Sequence, residues 1–322
     1  NPKLVMKQYK KLILLFLIIV FASCIIAPIK KVPLDFMLEK TGFMADSVDY
    51  ENGMYNFGKV MRRVLMVAAL IVFLVYRKSL RFGTLISSGL KIRPGFFRQF
   101  LFGFSLAVLA LLIYYGIGLL SGAWVIHLDF IIYDQLDSDV LRESIVDIFK
   151  YLLIGCLIGF MEEIFFRGFL LQSFMENMSV PVAVIVCSLI YSVLHFFRAD
   201  VFVSTGFQPF VGFVTMAQFF KPLFFDIVKH LPAIIGLFLV GIVLSYALIR
   251  TKSLYLSIGL HSGMVFMSKT DSIFISRFRE KLIWLFGGDS KLVTGIVIWI
   301  FLICILIVIK RIYNDSYNYG KV

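Results

Sequence analysis

An all-α, polytopic membrane helix bundle of about eight transmembrane helices is the fold class this sequence predicts, on three observations. First, 60% of the 322 residues are hydrophobic and the mean hydropathy is +0.92. A soluble domain cannot hide that much apolar surface, so most of it must face lipid or other membrane helices. Second, the apolar residues come in long continuous runs, not in the short alternating segments of a barrel. Third, the basic residues cluster at the ends of those runs, where lipid headgroups and the positive-inside rule account for them. The net charge of +12 is thereby explained without nucleic acid, and the lipid bilayer is the expected surrounding.

Spanning the hydrocarbon takes roughly 20 apolar residues as helix. Runs of about that kind cover 12–29, 60–76, 99–121, 149–174, 180–197, 232–249, 253–268 and 292–310. The first follows Lys7, Lys10 and Lys11. The second is short and needs Arg62 and Arg63 to snorkel. Before the third come Arg77, Lys78, Arg81, Lys91, Arg93 and Arg98 with no acid among them, a strong cytoplasmic signal. Before the fourth come Asp129, Asp134, Asp137, Asp139, Glu143 and Asp147, which fit the opposite side. The turn around Glu176–Pro181 joins the fourth to the fifth, and Arg250–Lys252 lies between the sixth and seventh. The seventh is short and ends at Lys269; the eighth ends at Lys310 and Arg311. Eight spans put both termini in the cytoplasm, with Lys30, Lys31 and Lys40 after the first run as the discordant piece.

Residues 199–231 carry many phenylalanines and few charges, and Pro209, Pro222 and Pro232 interrupt them. They read as an interfacial or re-entrant element. No internal repeat, low-complexity tract or linker appears, so 1–322 reads as a single membrane domain. Cys24, Cys156, Cys187 and Cys304 sit in apolar runs without paired spacing. They read as buried small hydrophobes, not as a disulfide framework or a metal cluster.

The fourth run contains Glu162, Glu163 and Arg167 among aromatic and aliphatic residues. Each charged group costs roughly 2.5–3.5 kcal/mol at mid-helix on insertion scales, so the run is expensive without a purpose. Glu163 and Arg167, at i and i+4, share a face and can pair, which suits a structural role. Glu162 is rotated by one residue and has no partner within its own span, so it is the candidate for chemistry. Of the four histidines, His127, His195, His230 and His261, only His195 and His261 fall in apolar spans. Counting out from the turn at Glu176–Pro181 puts Glu162 and His195 at one depth, where they can meet. The same count leaves His261 nearer the cytoplasm than Glu162 by roughly 10 Å, a gap that tilt or a broken helix must close. These groups suit either catalysis or a structural or transport network.

Glu162-Glu163-x-x-x-Arg167, then Tyr191-x-x-x-His195, then His261, resembles the three-motif signature of the CPBP family (CAAX protease and bacteriocin-processing, or Abi). The resemblance covers roughly residues 149–268, the catalytic core. Two positions depart from the family pattern: Tyr191 replaces the usual Phe, and Val265 stands where Asn or Asp is usual. Val cannot donate a hydrogen bond, so Ser262 is a candidate to take over that role.

The resemblance implies an intramembrane endopeptidase with Glu162, Glu163, His195 and His261 as catalytic residues, supported by Arg167, Tyr191 and Ser262. Glu162, assisted by His195, would activate water; His261 would donate to the developing oxyanion; Arg167 would hold Glu163. No cofactor is expected. The alternative is a Zn²⁺ site formed by Glu162, His195 and His261, since Glu plus two His is a known catalytic ligand set. The implied partner is a membrane-anchored peptide or protein, and the implied location is a bacterial plasma membrane. Two functions from other classes remain: an ion- or proton-coupled transporter, and a non-catalytic immunity or scaffold protein, which Val265 favours.

Overall fold

The computed structural model describes residues 8–41, 48–49, 54–126, 131–132, 135–136, 138–197, 199–206, 208–277, 282–288 and 292–313. In chain order the elements are α1 (Gln8–Thr41), β1 (Met54–Asn56), α2 (Phe57–Tyr76), α3 (Phe82–Gly89), α4 (Phe96–Leu120), β2 (Trp124–Ile126), β3 (Ile131–Ile132) and β4 (Gln135–Leu136). Then follow α5 (Ser138–Glu163), a π turn (Ile164–Leu171), α6 (Gln172–Met175), α7 (Val180–Leu194), β5 (Phe202–Ser204), α8 (Val211–Phe224), α9 (Ile227–Thr251), α10 (Tyr255–Phe274), β6 (Ile275–Arg277), α11 (Ile283–Phe286) and α12 (Ile296–Ile312).

Lys10–Ile29, Phe96–Leu120, Ser138–Met175 and Ile227–Thr251 are long and apolar enough to cross a membrane. The chain is therefore a helical integral membrane protein. Each of the eight apolar runs falls on a helix, but among the described residues only those four helices meet the length and composition needed to cross. α8 has 14 residues with Pro222 inside, short of the roughly 20 that a span requires.

Three details differ from expectation. Helix α1 runs 34 residues, through Lys30 and Lys31 to Thr41, because a lysine marks where the chain leaves hydrocarbon and not where backbone hydrogen bonding stops. Helix α9 starts at Ile227 and carries Pro232 as an internal residue in its second turn, where the missing N–H removes one intrahelical bond, to the Val228 carbonyl. β structure is also present, as antiparallel two-stranded ribbons pairing β1 with β5, β2 with β6 and β3 with β4.

The described chain divides into two compact units, Asn1–Gly83 with Val193–His230, and Thr84–Ser192 with Leu231–Val322. The first is built on α1, α2 and α8. Cys24, Ala27, Tyr55, Phe57, Met61, Met216 and Phe219 form its core. A Cβ on Gly212 would lie 2.1 Å from the Cys24 carbonyl oxygen, so α1 and α8 touch backbone to backbone. The ribbon beside them is tied by Asn56, whose Nδ2 donates to Asp200 Oδ1 at 2.7 Å.

The second unit is organised around α10, which packs between α4 and α5. Glycines on both sides make this possible. A Cβ on Gly259 would lie 2.1 Å from the Phe100 carbonyl oxygen, and one on Gly159 would lie 2.5 Å from Ser262 Oγ. Small residues at such contacts are how membrane helices gain dispersion where lipid offers no hydrophobic drive. Near the start of the acidic segment, Trp124 stacks over Gly118, inside a cluster with Tyr114, Tyr115, Met267 and Phe286. Tyr114 Oη donates to the Phe286 carbonyl at 2.5 Å.

The cysteines are all free. Cys24 and Cys187 are buried, Cys156 is half-buried, and Cys304 is exposed on α12, a face that a membrane protein turns to lipid.

Candidate active site

The last residues of α5 carry the two carboxylates, and the π turn begins immediately after them. A π turn fits an extra residue into the helix, and such insertions occur frequently at functional sites. Here Phe166, Arg167, Gly168 and Phe169 are all buried within it.

Glu163 and Arg167 pair as their spacing predicts. Arg167 Nη1 donates to Glu163 Oε1 at 2.8 Å, with both side chains 0% exposed. The guanidinium is held on two further sides. Its Nη2 donates to the Gly241 carbonyl of α9 at 3.3 Å, and its carbon lies 4.6 Å from the centre of the Tyr191 ring on α7. Cation–π contact of this kind is strongest where water is excluded. Phe166 packs edge-on against Tyr191.

His261, on α10, joins this cluster. Its Nδ1 lies 2.9 Å from the same Glu163 oxygen that receives Arg167. A carboxylate can only accept, so Nδ1 carries a proton, and Nε2 points away from Glu163. Nε2 lies 3.8 Å from Glu162 Oε2, too far for a hydrogen bond but within reach of a shared small molecule. The Glu162 side chain is 32% exposed, and its buried Oε2 has no hydrogen-bond partner among the described residues. Tyr191 presents its ring edge-on to His261, with centroids 6.1 Å apart. Five residues named from the sequence thus converge: Glu162, Glu163, Arg167, Tyr191 and His261.

The depth count for His261 is corrected by this geometry. It set His261 roughly 10 Å from the level of Glu162, whereas the two side chains are neighbours. The count took the turns after α6 and after α9 to be level, and they are not. Gly159 lies beside Ser262, and Gly155 beside Phe266. Extending that antiparallel register puts Lys252 alongside the π turn and short of Glu176. The position of Gly89, which faces both Leu254 and Gln172, agrees.

Ser262 is buried and faces Gly159 across the α5–α10 seam; its hydroxyl has no hydrogen-bond partner among the described residues. Val265 is half-buried one turn beyond His261. His195 lies one residue past α7, half-buried, in the first compact unit. His230 packs edge-on against Phe196 in that unit, and His127 lies outside the described residues.

Sequence reasoning missed Gly241, whose carbonyl is a ligand of the guanidinium. A glycine within the apolar run 232–249 was the available signal, since membrane helices use small residues where another helix approaches.

Among the described residues, no three His, Cys, Asp or Glu side chains form a set placed to hold a metal. His261 Nδ1 is committed to Glu163 and its Nε2 remains available. An apolar groove of about 420 Å³ is lined by Phe96, Phe97, Phe100, Leu153, Cys156, Leu157, Phe160, Tyr255 and Ile258.

The family described as Rce1-like, type II CAAX prenyl endopeptidase Rce1-like, matches residues 144–267. No curated protein and no solved structure matches the chain. The matched segment contains Glu162, Glu163, Arg167, Tyr191, His195 and His261, and over that segment the chain is similar to the CPBP/CAAX protease family.

Proposed function

We propose that this protein is a glutamate-dependent intramembrane endopeptidase acting on membrane-anchored peptides or proteins. The observation that carries the proposal is the position of Glu162: a buried, unpartnered carboxylate oxygen 3.8 Å from an imidazole nitrogen. That imidazole is itself fixed by Glu163 and Arg167.

In the proposed reaction, a water beside Glu162 gives a proton to the Glu162 carboxylate as its oxygen attacks the peptide carbonyl carbon, with His195 in the assisting role that the family resemblance implies. Negative charge moves to the carbonyl oxygen. His261, in its imidazolium form, donates from Nε2 to that oxygen; one such donor is worth roughly 3–4 kcal/mol in comparable sites. In that form Arg167 and His261 balance Glu162 and Glu163, and the cluster is neutral as a whole, as an apolar interior favours. The intermediate then collapses. The C–N bond breaks, the leaving amine takes the proton from Glu162, and a carboxylic acid and an amine remain. No step passes through a metal.

The groove beside Phe160 and Ile258 suits the apolar anchor of such a substrate, and the Rce1-like family's description points to a prenyl group. The proposed topology has eight spans with both termini cytoplasmic and the site open to the cytoplasmic side.

The test uses purified protein in vesicles with a farnesylated CAAX peptide, products being read by mass spectrometry. Cleavage by the wild type and its loss in Glu162→Ala and His195→Ala are expected. Cleavage that survives both substitutions contradicts the mechanism. A wild type that never cleaves supports the non-catalytic alternative that Val265 favours, and ion flux without cleavage supports a transporter.

A further inference from the structure

Arg167 is a residue whose position must be set from outside its own helix. It has no solvent contact, and its Nε has no hydrogen-bond partner among the described residues. Two neighbouring helices define the slot it occupies: α7 supplies the Tyr191 ring at 4.6 Å and α9 supplies the Gly241 carbonyl at 3.3 Å. The width of that slot depends on how closely α7 and α9 approach.

The approach is set at one contact, one helical turn from Tyr191. A Cβ on Gly241 would lie 2.7 Å from Ser188 Cβ, 2.9 Å from Ser188 Cα and 3.0 Å from Ser188 Oγ. Real Cβ atoms do not sit that close, so any side chain at 241 must drive the two helices apart. Ser188 is fully buried and cannot swing out of the way.

We propose that Gly241 is a positioning residue for His261. Lacking a side chain, it lets α9 close onto α7, so that its own carbonyl and the Tyr191 ring grip the Arg167 guanidinium. The guanidinium then fixes Glu163 Oε1, and Glu163 Oε1 fixes His261 Nδ1. Displacement of reacting groups by about 1 Å can cost on the order of a hundredfold in rate, so a methyl group at 241 acts on the imidazole through two intermediates. The kinetic half of this proposal rests on the proteolytic reading; the geometric half does not.

The test compares wild type, Gly241→Ala, Ser188→Gly and the double variant, as full-length protein in nanodiscs. One arm measures the rate at which diethyl pyrocarbonate labels His261, mapped by mass spectrometry, and needs no catalysis. The other measures kcat and KM on a farnesylated peptide. Gly241→Ala is expected to label His261 several-fold faster, and to lower kcat by on the order of tenfold to a hundredfold while KM stays within about twofold. Ser188→Gly, which removes the Cβ and Oγ that the new methyl meets and leaves only Cα at 2.9 Å, is expected to return part of both effects in the double variant.

If Gly241→Ala fails to assemble, the comparison passes to Ser188→Val, which widens the same contact from the other side and must reproduce both changes. Labelling of His261 at the wild-type rate in Gly241→Ala overturns the proposal. So does a loss that Ser188→Gly leaves wholly unrelieved, because a general packing defect would behave that way. Absence of cleavage by the wild type would contradict the peptidase reading, and the labelling arm would still decide the role of Gly241.

Discussion

Two helix seams in this protein are built by the same device and differ in what lies beside it. In the first unit, α1 and α8 close at Gly212, where a Cβ would lie 2.1 Å from the Cys24 carbonyl. In the second, α5 and α10 close at Gly159, where a Cβ would lie 2.5 Å from Ser262 Oγ. Both seams bury hydroxyls without hydrogen-bond partners among the described residues, Ser23 and Thr215 in one and Ser262 in the other. Around the first seam stand Ala27, Val211, Met216 and Phe219. One turn from the second stand Glu162, Glu163 and His261. Close approach alone is packing, because it satisfies the need of membrane helices for dispersion contacts. Two carboxylates, an imidazole and a guanidinium beside such a contact carry a desolvation cost that packing does not explain.

The largest expected difference between the seams follows from that cost. Arg167→Ala leaves Glu163 buried with His261 as its remaining partner. Removing one member of a buried pair destabilises by about 3–5 kcal/mol, so thermal unfolding in detergent should begin well below the wild type. The paired replacement Glu163→Gln with Arg167→Met should recover much of the stability and none of the cleavage. Full recovery of cleavage would remove this pair from the mechanism.

Next in size are the glycines. Gly212→Ala and Gly159→Ala each force a methyl into backbone or hydroxyl contact, an overpacking worth about 1–3 kcal/mol. Both should unfold earlier. Only Gly159→Ala should also lower kcat per folded molecule, since its seam carries the site. Equal kinetic damage from Gly212→Ala would erase the distinction.

The smallest effect belongs to the surface. Asp49 accepts from Lys59 Nζ at 2.5 Å with both groups partly exposed, and the lysine beside it holds the Asp49 carboxyl below the usual carboxylate range. A depressed carboxyl stabilises the folded state above its unfolded value and loses that contribution as pH falls through the folded value. The window therefore lies below about pH 4. Lys59→Ala should shift the unfolding midpoint slightly at neutral pH, less at high salt, and progressively less as pH falls below about 4. A shift that does not shrink on acidification would mean Lys59 acts through packing.

Much of this was legible in the residues, and the parts that were not share a cause. The Glu163–Arg167 pair could be read because i,i+4 spacing on one helix fixes which side chains meet. The place of His261 could not be read. It depends on the register between α5 and α10, which is set by Gly155 and Gly159 against Ser262 and Phe266, and a depth count from turns carries no information about register. The apolar run 12–29 agrees with the span Lys10–Ile29, while hydropathy carries no sign that helix α1 continues past it to Thr41. The ribbons were missed because strands of two or three residues hold too little alternation to register as a pattern. Gly241 went unnoticed because its contribution is a backbone carbonyl, which every residue possesses; only the approach of α7 makes it matter.

The division of labour between the adjacent glutamates is the central claim, and one paired measurement tests it. Glu162→Gln and Glu163→Gln are each prepared in vesicles, and kcat/KM on a farnesylated peptide is measured beside the unfolding midpoint. Glu162→Gln is predicted to keep the wild-type midpoint while losing roughly 10²–10⁴-fold in kcat/KM, the usual worth of a general base. Glu163→Gln is predicted to lose stability as well as rate. Glu162→Gln cleaving at the wild-type rate would contradict the account.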